Sequence, residues 1–319
     1  MDQEVNGAPK ALPIERRTLG EFSYLYRPAK GEAVARIHFA HATGFHAGVY
    51  RAMIERLDPR IEVFALDQRG HGQTRAEANP KRLRSWKIYI DDLTTFLEQI
   101  GGDFFLGGHS MGGVVSMGAE ARLVGSPKAR VKGLLLVEPV APSLPMRVML
   151  PPLQPLGVGF LIPLAQSAKK RREHFPSRDA VYDSWSKKPL FDKWAPGTLE
   201  AYIRDGFIDT DDGQVRLACA PLWESHTFAY SEARYIRHLK KGKSPIALLR
   251  GGEGSTCSSS ARNDIVRLRQ VAYEFFDEKA NHFIPMERPE LLAEAFHALI
   301  QSTEASDLSL KSPALRANR

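Results

Sequence analysis

The 319-residue sequence predicts a doubly wound α/β fold: a mostly parallel central sheet, helices on both faces, and one inserted, mainly helical segment. Three observations predict it. Strand-length apolar runs alternate with helix-like patterns along most of the chain. Several of those runs are nearly continuous in apolar residues, as strands covered on both faces are. The alternation breaks once, between about residues 140 and 240, where prolines and tryptophans replace it.

In chain order, residues 1–13 are polar, carry Gly7, Pro9 and Pro13, and read as a flexible arm. Strands are expected at 35–40 (ARIHFA) and 61–66 (IEVFAL). Ile88, Leu93, Phe96, Leu97 and Ile100 then recur at helical spacing. A third strand is expected at 104–107 (FFLG), followed by a helix whose Val114, Val115, Gly118 and Ala119 suit close packing on a sheet. The fourth strand is expected at 134–138 (LLLVE). Residues 140–240, with Trp185, Trp194 and Trp223, read as a cap over the active edge of the sheet. Strands at 246–249 (IALL) and 271–276 (VAYEFF) resume the pattern. A final helix opens at Pro289 and carries Leu291, Leu292, Ala295, Phe296, Leu299 and Ile300 on one stripe. The core is thus 14–139 with 241–301, and 302–319 reads as a flexible tail.

Hydrophobic residues make up 43% and charged residues 25%, ordinary values for a chain that folds around a real core. Net charge is +7, which permits anionic substrates or lipid head groups. No basic stretch alternates with aromatics, so no nucleic-acid partner is expected. The cluster Lys169-Lys170-Arg171-Arg172 reads as a solvated helix face. The apolar stretch 139–163 is interrupted by prolines, Arg147 and Gln154, so no stable membrane insertion is expected. An apolar lid or acyl-binding wall and an ordinary cap core are both open readings of it. Cys219 and Cys257 read as free thiols, and no metal-ligand spacing or P-loop is present. Neither a metal nor a cofactor is expected. The opening Met-Asp-Gln-Glu has neither a basic nor an apolar leader region, so a cytoplasmic chain is expected.

The chemistry is carried by Gly107-Gly108-His109-Ser110-Met111-Gly112-Gly113. It contains G-x-S-x-G between an expected strand and an expected helix. A serine hydroxyl is a poor nucleophile unless a base removes its proton, and it must stand clear of its own backbone. A sharp strand-to-helix turn achieves this, and its strained backbone tolerates only small neighbours. The helix amides that follow face negative charge developing on a substrate.

Together with HFAHATGF (38–45), LDQRGHGQT (66–74) and NHFIPMERPE (281–290), this motif resembles the α/β-hydrolase superfamily in its cap-bearing, lipase/esterase-like branch. The four segments span nearly the whole chain. The resemblance implies the α/β-hydrolase fold, a hydrolytic activity and no cofactor. It implies Ser110 as nucleophile and His282 as general base, in the chain order Ser…acid…His. His109 is expected to point inward, His71 to be scaffold, and His41 and His46 to flank the oxyanion loop.

The acid departs from the commonest pattern. The usual aspartate position after the strand at 246–249 holds Gly254 or Ser255, with Glu253 close by. Some relatives carry the acid at the end of the preceding sheet strand, here Glu138, which is preferred over Glu253. Two backbone amides are expected to form the oxyanion hole: Met111, and Phe45 with Thr43 as the alternative. The expected function is cleavage of a carboxylic ester of a small, largely hydrophobic acyl or aryl substrate through an acyl-enzyme. An amide, lactone or carbon–carbon bond hydrolase on the same residues is the alternative, as is a cap-gated binding protein without turnover. Oligomeric state is not legible.

Overall fold

In the computed structural model, residues 12–311 are described. The expected arm falls almost wholly outside them. The first elements are β1 (Glu15–Leu19), β2 (Phe22–Arg27), β3 (Ala35–Ala40), α1 (Arg51–Arg56), β4 (Ile61–Leu66), α2 (Lys87–Ile100), β5 (Gly102–His109), α3 (Met111–Leu123) and β6 (Ala129–Val137). The segment that follows holds α4 (Leu144–Leu153), α5 (Pro163–Lys169), β7 (His174–Phe175), α6 (Arg178–Trp185), α7 (Thr198–Gly206), β8 (Phe207–Asp209), β9 (Val215–Leu217), α8 (Pro221–Ala229) and α9 (Ile236–Lys241). The chain closes with β10 (Ile246–Gly251), α10 (Ser259–Leu268), β11 (Val271–Asp277), α11 (Ile284–Glu287) and α12 (Pro289–Lys311).

Eight strands form one sheet in the order β1-β2-β4-β3-β5-β6-β10-β11. The β1–β2 and β2–β4 pairs are antiparallel, and every other pair is parallel. The carboxyl ends of β3, β5, β6, β10 and β11 therefore open on one edge, where a parallel sheet builds its site. The segment between β6 and β10 adds six helices and a three-stranded antiparallel sheet, β7-β9-β8.

Successive side chains of a strand point to opposite faces, and the core divides accordingly. Phe105, Leu135 and Phe39 pack with Phe296 and Leu299 of α12 on one face. Phe104, Leu106, Leu134 and Leu136 pack with α2 and α3 on the other. Helix α3 is buried almost all round, and Gly118 lets α2 approach: a Cβ there would lie 2.4 Å from Ile90 Cδ1.

Two elements differ from expectation. The β1–β2 hairpin was not expected: β1 is a short, largely exposed edge strand with little apolar signal, whereas β2 is mostly buried between β1 and β4. Helix α12 runs to Lys311, so 302–311 is helix rather than the loose tail expected. Its Ala, Glu, Leu and Lys are good helix formers and the next proline is Pro313. Residues 312–319 lie outside the described residues.

Candidate active site

The turn between β5 and α3 holds Ser110 at φ 56°, ψ −116°, a conformation that costs an L-residue of order 1–3 kcal/mol. The residues two before it and two after it must be glycine. A Cβ on Gly108 would lie 2.2 Å from the Gly112 carbonyl carbon, and one on Gly112 would lie 2.1 Å from Ala40 O. The Ser110 N–H donates to Val137 O at 2.9 Å, fixing the turn to the end of β6. The Ser110 side chain makes no capping bond to α3, so its hydroxyl is not spent on the helix.

Glu138, one residue beyond β6, is the other non-glycine residue with positive φ, 46°, among the described residues. Its carboxylate is fully buried and fully engaged. Oε1 accepts from Gly251 N at 2.6 Å and Ser255 Oγ at 2.9 Å; Oε2 accepts from Thr256 N at 3.0 Å. Oε2 also faces His282 Nδ1 at 3.4 Å, so the ring donates from that nitrogen. A carboxylate without these donors would be costly at such depth. Glu253 is exposed on the loop beyond β10.

His282 follows β11 in a loop held by Asn281, which accepts from Phe283 N at 2.6 Å and donates to Glu287 Oε1 at 2.7 Å. The His282 and Ser110 side chains are not hydrogen-bonded to each other. Their backbones are linked through His109. That ring lies 4.7 Å from the His282 ring, and its Nε2–H donates to His282 O at 2.9 Å. With the proton on Nε2, Nδ1 must accept, so Tyr50 Oη donates to it at 2.9 Å and accepts from Ala42 N at 3.2 Å. Burial holds the His109 imidazole well below its ordinary pKa. No sequence signal marked this chain of bonds. Only the place of His109 in the elbow motif hinted that it points inward.

The loop after β3 is held by two more neutral imidazoles. His41 Nδ1 donates to Ala42 O at 2.8 Å, and its Nε2 accepts from Gln68 N at 2.8 Å. His71 Nδ1 donates to Arg69 O at 3.0 Å, and its Nε2 accepts from Gly44 N at 3.1 Å. Burial lowers both to a pKa of about 3. Phe45, expected as the second oxyanion amide, has its N–H committed to Ala42 O at 3.1 Å in a tight turn. Gly44 N–H is committed to His71. Of the three, Thr43 alone donates no main-chain hydrogen bond among the described residues, and its Oγ1 touches Met111 Sδ at 3.4 Å. Met111 opens α3, where a main-chain N–H has no intrahelical acceptor.

Aromatic rings close over this edge. Phe45 lies 5.3 Å from Tyr202, 6.1 Å from Trp194 and 6.3 Å from Phe283. Tyr202 Oη donates to Gly44 O at 3.0 Å, and His46 Nε2 donates to Tyr202 O at 3.0 Å. Helix α7 is thereby fastened to the loop after β3. A cleft of about 370 Å³ reaches His282 between Leu190, Lys193, Glu253 and Phe283. Among the described residues no group of three or more His, Cys, Asp or Glu is placed to hold a metal ion. No helix there is long and apolar enough to cross a membrane.

A family model described as "Alpha/beta hydrolase family" matches residues 39–295. A monoglyceride lipase of Rattus norvegicus is 32% identical over 127 residues, 37% of this chain and 39% of that protein. A putative monoglyceride lipase of Schizosaccharomyces pombe is 31% identical over 118 residues, 35% of this chain and 30% of that protein. The match thus spans less than two fifths of the length of either relative. Among solved structures, E-2-(acetamidomethylene)succinate hydrolase superposes with TM-score 0.67 at 19% identity, over 91% of this chain and 99% of that one. An esterase of M. tuberculosis gives 0.65 at 20% identity, over 93% and 94%. At these identities the likeness is one of fold.

Proposed function

Because the chain belongs to the α/β-hydrolase family, we propose that it is a serine hydrolase that cleaves a carboxylic ester of a small, largely hydrophobic substrate. The observation that carries this reading is the left-handed Ser110, its hydroxyl unspent, on the same sheet edge as the Glu138–His282 pair. The monoglyceride lipases matched in part favour an ester as the bond.

In this reading Ser110 Oγ attacks the carbonyl carbon and its proton passes to His282 Nε2. Glu138 holds Nδ1–H, fixes the tautomer and stabilises the imidazolium. The Ser110–His282 bond closes when substrate orders the site, as catalytic hydrogen bonds often do. The oxyanion is met by the main-chain amides of Met111 and Thr43. His282 then protonates the leaving alcohol, and water releases the acyl group by the reverse sequence. Residues 140–240 act as the cap, and Phe45, Trp194 and Phe283 form the wall against which the acyl group rests.

A fluorophosphonate tests the reading, since it phosphonylates only a serine activated in this way. The expected result is rapid stoichiometric labelling of the folded chain, lost in Ser110→Ala. A folded chain that does not label, or that labels equally in Ser110→Ala, overturns it and favours a binding protein without turnover.

A further inference from the structure

We propose that the outer surface of residues 144–164 docks the protein on an anionic lipid bilayer. Helix α4 is almost entirely apolar and contains no buried residue. Val148 and Met149 are 64% and 63% exposed, and beyond the helix Leu156 and Leu161 are 77% and 71% exposed. Leu144, Met146, Leu153 and Leu164 are exposed beside them. Single exposed apolar residues are ordinary, but this many in 21 consecutive positions mark an interaction surface.

The segment is not loosely placed. On its inner side Phe160, Ile162 and Ala165 pack with Ala229 and Tyr230. Gln154 Nε2 donates to Ser231 O at 2.7 Å, and Ser225 Oγ donates to Ala165 O at 2.7 Å. The outward apolar side chains are therefore held outward.

Charge selects the occupant. No Asp or Glu occurs from Pro139 to Arg172. Arg147 is paired with Asp264 and Arg171 with Glu224, which leaves Lys169, Lys170 and Arg172 exposed at the end of α5. A second copy seated here would oppose like cations, with no carboxylate in the segment to pair with them. A bilayer bearing anionic head groups takes both the apolar side chains and the lysines. The contact is interfacial, since no described helix can span.

Vesicle co-sedimentation of the full chain tests this, using phosphatidylcholine alone and phosphatidylcholine with phosphatidylglycerol. Binding should be tighter to the anionic vesicles and weaken with salt. V148D/M149D should lower affinity at least about tenfold. Lys169→Glu/Lys170→Glu should erase the preference for anionic vesicles. Both variants should keep the thermal midpoint, because neither site is buried; Leu156→Asp, outside α4, gives a second reading of the apolar term. Absence of binding to either vesicle, equal binding by all variants, or a concentration-dependent dimer abolished by V148D/M149D would overturn the proposal.

Discussion

His109 Nε2 donates to the main-chain oxygen of His282 at 2.9 Å, so the residue before Ser110 carries the loop that presents the proposed base. Ser110 and His282 are thereby set on one rigid body, although 172 positions separate them in the chain.

His109→Ala is expected to lower kcat about ten- to a hundredfold with little change in KM, because the His282 loop loses its anchor by a fraction of an ångström. His109→Gln, whose amide still donates, should recover part of the loss. Steady-state kinetics on a soluble ester decide it: a drop in KM affinity with kcat intact would show that His109 does not position the base.

Glu138→Gln should reduce kcat by up to about ten-thousandfold. The new amide group must face either Gly251 N–H and Ser255 O–H or Thr256 N–H and His282 Nδ1–H, setting donors against donors. Stability should fall by about 1–3 kcal/mol in the same variant, read from urea unfolding. The exposed Glu253→Gln should leave kcat within about twofold. The reverse ranking would move the acid to Glu253.

Replacing Thr43 by its α-hydroxy acid analogue removes one main-chain N–H and keeps the side chain. The expected loss in kcat is about a hundred- to a thousandfold, with KM little changed. The same replacement at Phe45 removes only a turn bond to Ala42 O and should cost far less in kcat. Equal losses at the two positions would refute the assignment of Thr43.

His38, His41 and His71 are buried and neutral, each lowered from 6.5 to about 3. Their folded pKa lies below the unfolded value, so the unfolded chain binds more protons between those limits. Stability is therefore full above pH 6.5 and falls as pH drops toward 3, by up to about 1.4 kcal/mol per pH unit for each ring. A proton on His71 Nε2 would confront Gly44 N–H directly. Urea midpoints measured from pH 7.5 downward should slope steeply below 6.5, and less so in His71→Gln. A flat profile would mean that these rings titrate normally.

The strand runs, the strand–turn–helix around Ser110 and the α12 stripe were legible because period and steric demand are local properties of a sequence. Gly108 and Gly112 are small because backbone stands about 2 Å from where a Cβ would be, and that requirement is written in the motif itself. The tertiary structure alone decided which polar groups meet. Glu138 is surrounded by donors from 251–256 and faces His282, whereas Glu253, nearer the usual position in sequence, is left in water. Phe45 and Thr43 look alike as sources of an amide until Gly44 is seen to bind His71 and Phe45 to close a turn on Ala42. Those outcomes depend on matching donors to acceptors across segments distant in the chain. Each buried polar group must find its partner there, and no local pattern records which one it finds.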